Sequence, residues 1–266
     1  FSKHLWTSIY LKKRAMKAKV FFILVFLACG LNSLAQEKTF FVPDPANARW
    51  SYIETDANGK PVSKTFFSVD SMSGDAVNGS VKLGIEAVTV ENPADTLKSS
   101  LFYRFKDGEC MVDMNAFFEA DVLADMVGQA IEKESTNASE AEIKAAIEEM
   151  KKMIKVTGEV RGIPRYPKVG YLPDYEFQFK LSIISIAVTG EERKITGSEK
   201  LQTPAGTFDC FVMEETITSK AMMQKDVEKN ISWYAYGIGL VKEETYDKKG
   251  RLVSTTLLNS INWQLK

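Results

Sequence analysis

Trp50-Ser51-Tyr52-Ile53-Glu54, followed by Asp56-Ala57-Asn58-Gly59-Lys60 and then by Ser63 to Asp70, decides the fold. Asn-Gly favours the positive φ angles of a tight hairpin turn, so the runs on either side pair as strands. The same grammar recurs downstream. Ser80 to Val90 alternates, and Leu97 to Lys106 ends at Asp107-Gly108, beyond which Cys110 and Met114 lie on a return strand. Upstream, Thr39 to Val42 begins a strand that Pro43-Asp44-Pro45 breaks.

The C-terminal half is also read as strands. Ile163 to Asp174, with Pro164, Pro167 and Pro173, reads as a loop. Tyr175 to Val188 reads as one long strand with Phe177, Phe179, Leu181 and Ile183 on one face, and Arg193 to Leu201 as another. Thr203-Pro204-Ala205-Gly206-Thr207 makes a turn with Pro at its second position, and Phe208 to Thr218 runs back. Ile231 to Tyr246 and Arg251 to Trp263 are the last two strands, joined by Asp247-Lys248-Lys249-Gly250.

Between the halves the period changes. Phe117, Ala120, Leu123, Met126, Val127, Ala130 and Ile131 recur at threes and fours, the helical spacing. After a polar break, Ser139-Glu140-Ala141-Glu142 fits a capping box, and Ile143, Ala146, Ile147, Met150 and Ile154 form a second stripe. Acidic residues fill the first turn, while Lys151, Lys152 and Lys155 fill the last, as the helix dipole favours. The sequence predicts a helical hairpin over about 116–155, inserted into a sheet and covering one of its faces.

The N-terminal region reads as an address. From Met16, the better start, a short basic stretch precedes the apolar run Val20 to Leu31 and then Asn32-Ser33-Leu34-Ala35-Gln36. Small residues at Ser33 and Ala35 place cleavage between Ala35 and Gln36. The run is shorter than the roughly 20 residues of a membrane span, so the mature chain is expected to have no transmembrane segment. A second reading anchors the chain by lipidation at Cys29, although Phe26-Leu27-Ala28 fits a lipoprotein signal poorly. Residues 1–35 are thus expected to be an upstream segment plus signal peptide. Residues 36–266 form a single β-rich domain, exported to the periplasm of a Gram-negative cell or beyond it.

Export alters what chemistry remains. The chain holds 34 basic and 35 acidic side chains, and the leader removes six basic and no acidic ones, leaving 28 against 35 and a net charge of −7. A mildly acidic protein without a basic cluster is a poor partner for nucleic acid. The single histidine, His4, leaves with the leader, which removes Ser-His-Asp and Cys-His catalysis and histidine-ligated zinc. Cys110 and Cys210 remain, and in an oxidising compartment they are either a disulfide pair or two small buried hydrophobes.

No constellation specifies a reaction or a cofactor. Gly237-Ile238-Gly239 lacks the strand-to-helix context of a phosphate loop and reads as a bulge or bend within a continuing strand. Tyr234, Tyr236, Ile238 and Leu240 share one face there and Trp233 takes the other. Glu214-Glu215 and Glu243-Glu244 are strand neighbours and point to opposite faces, so neither pair forms a site by itself. Glu148-Glu149 lies on a solvated helix face, and Asp56 to Gly59 is a turn rather than a calcium loop. Phe117, Phe118, Trp233, Tyr234 and Tyr236 are the candidates for contact with an apolar ligand.

Ile195-Thr196-Gly197-Ser198-Glu199, Thr203 to Cys210, Trp233 to Lys242, Tyr246-Asp247 and Gly250 together resemble the TapB-like family of exported bacterial proteins. The likeness runs from about Trp50 to the C-terminus and is clearest after Ile195. It implies an antiparallel β domain similar to the open half-barrels of periplasmic lipoprotein carriers, and it brings no catalytic residues. The expected protein is therefore mainly β, with some α: a curved antiparallel sheet or open half-barrel carrying the helical hairpin. Its expected role is non-catalytic, a binding module or carrier for an apolar or envelope-derived ligand. The alternatives are a structural or protein-interaction component of the envelope and, more distantly, a carboxylate hydrolase. The last would need two acids from different strands facing one cleft.

Overall fold

The computed structural model describes residues 48–75, 77–93, 96–107, 109–113, 139–181, 184–221 and 224–262. The first half contributes β1 (Arg49–Asp56), β2 (Pro61–Gly74), β3 (Gly79–Thr89), β4 (Thr96–Lys106) and β5 (Glu109–Val112). Helix α1 (Glu140–Met153) leads directly into β6 (Ile154–Gly158), β7 (Val160–Pro164) and the short β8 (Gly170–Tyr171). Then follow β9 (Tyr175–Leu181), β10 (Ile184–Thr203), β11 (Gly206–Ala221), β12 (Gln224–Ala235), β13 (Gly239–Asp247) and β14 (Leu252–Asn262).

All fourteen strands belong to one antiparallel sheet, ordered β6-β9-β10-β11-β12-β13-β14-β1-β2-β3-β4-β5-β7, with β8 paired to β10. Most neighbours are joined by tight turns. The β5–β7, β6–β9 and β1–β14 pairings are among the exceptions, and the last of these seats the first described strand against the final one, with Trp50 opposite Ile261 and Glu54 opposite Thr256. The sheet curls into a nearly closed barrel. Its closing contact comes from Arg193 on β10, which donates from Nη2 to the Arg161 and Gly162 carbonyls on β7, both at 2.8 Å.

Strand alternation fills the barrel. Leu83, Leu101, Tyr103, Phe177, Ile195, Leu240 and Leu258 are buried in its interior. Each such side chain contributes about 1.5–3 kcal/mol of transfer free energy. Trp50 stacks on Phe67 with ring centres 5.5 Å apart, and Tyr52 meets the same ring edge-on at 5.6 Å. A smaller cluster of Cys210, Trp233, Ala235 and Val241 packs separately.

The Asn58-Gly59 hairpin forms as expected. Gly59 has φ of 79°, and the Asp56 carboxylate accepts from the Asn58 and Lys60 amides. Four sequence expectations are corrected. Tyr175 to Val188 is two strands, because the chain reverses so that Leu181 pairs with Ile184. No Gly, Pro or Asn marks that reversal, and the apolar alternation runs straight across it. The second of these strands then continues through Arg193 as one twenty-residue strand, β10.

Ile231 to Tyr246 is likewise two strands. The glycines are a turn: Gly237 and Gly239 have φ of 69° and 93°, and the Ile238 amide donates to the Ala235 carbonyl. The 163–174 loop also carries more pairing than expected, since Ile163 and Pro164 end β7 and Gly170–Tyr171 pairs with β10.

The helical hairpin is not supported. Only α1 is helical among the described residues, and the first arm, with Phe117 and Phe118, lies outside them. The second arm stops at Met153; Ile154 and Lys155 belong to β6, where β-branched Ile154, Val156 and Thr157 favour extended backbone. Along α1, Ala141, Lys144, Ala145, Glu148, Glu149, Lys152 and Met153 are exposed. No described helix is long and apolar enough to cross a membrane. The signal cleavage point at Ala35 and Gln36, and Cys29, also lie outside the described residues.

Candidate functional site

One part of the barrel interior is polar. Directly opposed residues share a face of a sheet, so the registers trace two rows across it. The first is Ser232, Glu243, Thr256, Glu54 and Ser63, running from β12 through β13, β14 and β1 to β2. The second is Glu215, Asn230, Thr245, Ser254 and Asp56, from β11 to β1. Glu215, Asn230, Ser232, Glu243 and Thr256 are buried, whereas Glu54, Ser63, Thr245 and Ser254 are half-buried. The band thus runs from a closed floor to a more accessible mouth, a usual position for ligands in barrels.

A β-bulge builds the floor. Between the pairs Glu191–Thr216 and Lys194–Glu214, Glu192 and Arg193 together oppose the single residue Glu215. Glu192 takes φ of 55°, and the extra residue turns Arg193 inward. Arg193 is 1% exposed. Its Nε donates to the Glu215 carboxylate at 3.0 Å and its Nη1 to the Pro173 carbonyl at 2.7 Å, in addition to the two β7 carbonyls. The guanidinium also lies 5.0 Å from the centre of the Tyr175 ring.

Glu243 receives a hydrogen bond from the Ser232 hydroxyl at 2.8 Å. Burial pushes its carboxyl up to about 8; the Ser232 bond pulls against that rise, and Glu215, Glu228 and Glu54 add to it. Burial also pushes the Glu215 carboxyl up, opposed by the guanidinium. Below them, Tyr52 donates to the Leu240 carbonyl at 2.8 Å, and burial raises its hydroxyl far above the usual tyrosine value.

Asn230 stands between these acids. It is 1% exposed, and neither its Oδ1 nor its Nδ2 has a hydrogen-bond partner within the protein. A buried amide without partners costs about 1–3 kcal/mol. Among the described residues, no three His, Cys, Asp or Glu side chains are placed to share a metal ion.

The two glutamate pairs split between the faces as the alternation requires. Outward Glu214 meets Lys229 at 2.7 Å and Lys194 at 3.4 Å, while outward Glu244 meets Lys242 at 2.7 Å. The sequence reading took each pair alone and so missed that the inward members, Glu215 and Glu243, face one interior on either side of Asn230 and Ser232. Polar residues at alternate positions 230 and 232 of β12 were the available signal.

The aromatic candidates do not converge. Tyr234 is in the barrel core. Trp233 points the other way, donates from its indole to Glu199 and lies under the Lys242 ammonium at 4.5 Å. Tyr236 sits in the glycine turn, edge-on to Phe211 at 5.4 Å. Phe117 and Phe118 lie outside the described residues. Cys110 and Cys210 are buried thiols rather than a bridge. Cys110 packs in the barrel interior and Cys210 in the separate cluster, so they face opposite sides of the sheet. A surface groove of about 270 Å³ at the β4–β5–β7 edge is lined by Arg104, Lys106, Glu109, Glu159 and Arg161. Within it Arg161 lies 3.2 Å from Glu109 and Arg104 3.4 Å from Glu159.

The profile of the DUF3108-like family matches residues 47–258, from β1 into β14. The chain belongs to the DUF3108-like family. Two solved structures are similar to this DUF3108-like chain. One, a candidate lipoprotein from Parabacteroides distasonis, has a TM-score of 0.60 at 19% identity, covering 85% of this chain and 100% of that one. The other, a candidate exported protein with a YmcC-like fold from Bacteroides fragilis, has a TM-score of 0.58 at 18% identity, with the same coverage. At these identities the likeness concerns the fold. No curated protein matches the chain.

Proposed function

We propose that this DUF3108-like protein is an exported, non-catalytic binding module of the bacterial envelope, holding a small ligand in the polar part of its barrel. The observation that carries the reading is Asn230, buried with both amide atoms unpartnered among Glu215, Ser232 and Glu243. Buried polar groups are nearly always satisfied, so such a group points to a bound molecule.

The ligand differs from the apolar one expected from sequence, because the apolar part of the interior is occupied by Tyr103, Phe177, Leu83 and Leu101. Export is supported by the leader-like run from Met16 to Ala35, by the TapB-like resemblance and by the names of the two similar structures. The non-catalytic reading is supported by the ion pairing of Glu215 to Arg193, which occupies one of the two inward acids a hydrolase would use.

The test is native mass spectrometry of the full chain, expressed with its own leader and purified from the periplasm of a Gram-negative host, followed by aqueous and organic extraction. The expected result is a bound small molecule in the parent protein that is lost in Asn230→Leu. A clean mass for both proteins, with nothing extracted, would overturn the reading and favour an envelope interaction protein. The exposed Tyr166, Val169 and Tyr171 of the β7–β9 loop would then be its contact surface.

A further inference from the structure

We propose that the ligand is a protonated amine carrying a nearby acceptor oxygen, its ammonium held between the Glu243 carboxylate and Asn230 Oδ1. This rests on the binding-module reading and names the chemistry of that same site. The inward acids include Glu54, Glu215, Glu228 and Glu243, and Arg193 is ion-paired with one of them, Glu215. Its guanidinium is engaged with Glu215 and with three backbone carbonyls. Glu243 has the Ser232 hydroxyl as its hydrogen-bond donor, so the centre of the band lacks positive charge next to that acid.

An anion would meet this excess of carboxylates unfavourably. A divalent cation favours several carboxylate ligands drawn together, and among the described residues no three His, Cys, Asp or Glu side chains are placed to share one. A neutral polyol could satisfy Asn230 but would leave Glu243 protonated, so its binding would release no proton. An ammonium supplies three donors and a compact charge, which suits a carboxylate and an amide oxygen together. Asn230 Nδ2 then needs an acceptor, which an oxygen two or three bonds from the nitrogen supplies. The half-buried Glu54 and Glu228 carry the negative field outward toward the mouth and favour entry of a cation.

Binding has a proton signature. Glu243 faces Glu215 from β11, Glu228 from its neighbour strand β12, and Glu54 and the Tyr52 hydroxyl from β1, with Thr256 and Ser232 as the uncharged groups beside it. These surroundings keep Glu243 protonated at neutral pH when the site holds no cation. An arriving ammonium favours the ionised form, so association releases a proton to the buffer.

The experiment is isothermal calorimetry of the full chain processed and purified as above and dialysed free of amines. It is run at pH 7 in phosphate and in cacodylate, neither of which is an amine, and repeated at pH 9. The probes are ethanolamine, ethylammonium, ethylene glycol and acetate. Ethanolamine is expected to bind at least tenfold more tightly than ethylene glycol. It should release up to about one proton at pH 7 and fewer at pH 9. Ethylammonium should bind more weakly than ethanolamine, and acetate not at all.

Glu243→Gln should weaken ethanolamine at least tenfold and abolish proton release, and Asn230→Leu should remove the preference for ethanolamine over ethylammonium. Glu243→Gln keeps side-chain volume and Asn230→Leu keeps the heavy-atom branching, and thermal unfolding checks that each variant is folded. If ethylene glycol or acetate binds as tightly as the amines and Asn230→Leu abolishes that binding, the amine assignment falls while the binding module stands. If no probe binds, the extracted sample carries no small molecule and Asn230→Leu only raises stability, both fall.

Discussion

The Arg193 guanidinium lies 3.0 Å from the Glu215 carboxylate inside the barrel, at 1% and 5% side-chain exposure, and the same guanidinium bonds to the backbone of β7. One side chain therefore neutralises the acid on the neighbouring strand and fastens the far edge of the sheet across the interior. The bulge at Glu192–Arg193 makes both possible by adding the residue that turns the arginine inward.

Breaking that pair from one side leaves a charge buried without a counter-charge. Arg193→Met is expected to cost about 3–5 kcal/mol, read from urea midpoints at constant slope. Adding Glu215→Leu should recover part of the loss, because it removes the stranded acid. It should not recover all of it, because the Arg161, Gly162 and Pro173 carbonyls still lack their donor. A single variant within about 0.5 kcal/mol of the parent would mean the pair contributes nothing net.

Gly190 is needed for the ring that covers this arginine. A Cβ there would lie 2.2 Å from Tyr175 Cε1 and 2.4 Å from Cζ, so the ring occupies the place of a side chain. Gly190→Ala should destabilise by about 1–3 kcal/mol through overpacking. Combining it with Tyr175→Leu should give less than the sum of the single losses, since the clash disappears with the ring. Additive losses in the cycle would contradict this packing.

The strand content and several turns were legible because their chemistry is local. Asn58-Gly59, Thr203 to Gly206 and Asp247 to Gly250 each carry the residues their turns require. The reversal between Leu181 and Ile184 was hidden because it has no such residue, and the 237–239 turn was misread because two glycines suit a bulge as well as a reversal. The candidate site was legible only by halves. Alternation correctly separated Glu214 from Glu215 and Glu243 from Glu244. That Glu215 and Glu243, 28 residues apart in the chain, flank β12 on the same face is set by two successive pairings, Glu215 with Asn230 and Ser232 with Glu243. Asn230 was legible only as one of two polar residues alternating on its strand, since its meaning comes from which groups fail to reach it.

The thiols should behave as packing groups. Burial, with Asp209 and Glu199 adding to it, pushes the Cys210 thiol up to about 12. Almost none of it is then thiolate at pH 8, and the thiolate is the reacting species. Cys110 and Cys210 are expected to resist iodoacetamide in the native protein and to alkylate fully in guanidinium, as peptide mapping without reductant would show. Recovery of a peptide linking the two would contradict their placement on opposite sides of the sheet.

Glu243 makes stability depend on pH in a direction opposite to that of an ordinary paired carboxylate. Its folded value, about 8, lies above the ordinary 4.5, so between these limits the folded protein holds a proton that the unfolded chain has released. Stability is then highest near the acid limit, falls as pH rises through the window and levels off above about 8, with a slope of at most about 1.4 kcal/mol per pH unit. The raised Glu215 carboxyl acts in the same direction. The lowered carboxyls of Glu214, Glu244 and Asp247 act oppositely, but their loss of stability comes as pH falls below the ordinary carboxylate range, outside this window. Urea unfolding at pH 5, 6, 7 and 8 in amine-free phosphate should show the decline in the parent protein. Glu243→Gln should flatten it and be the more stable of the two at pH 8. A parent protein whose stability rises across this range, or a variant that keeps the parent's slope, would show that Glu243 is ionised in the folded barrel.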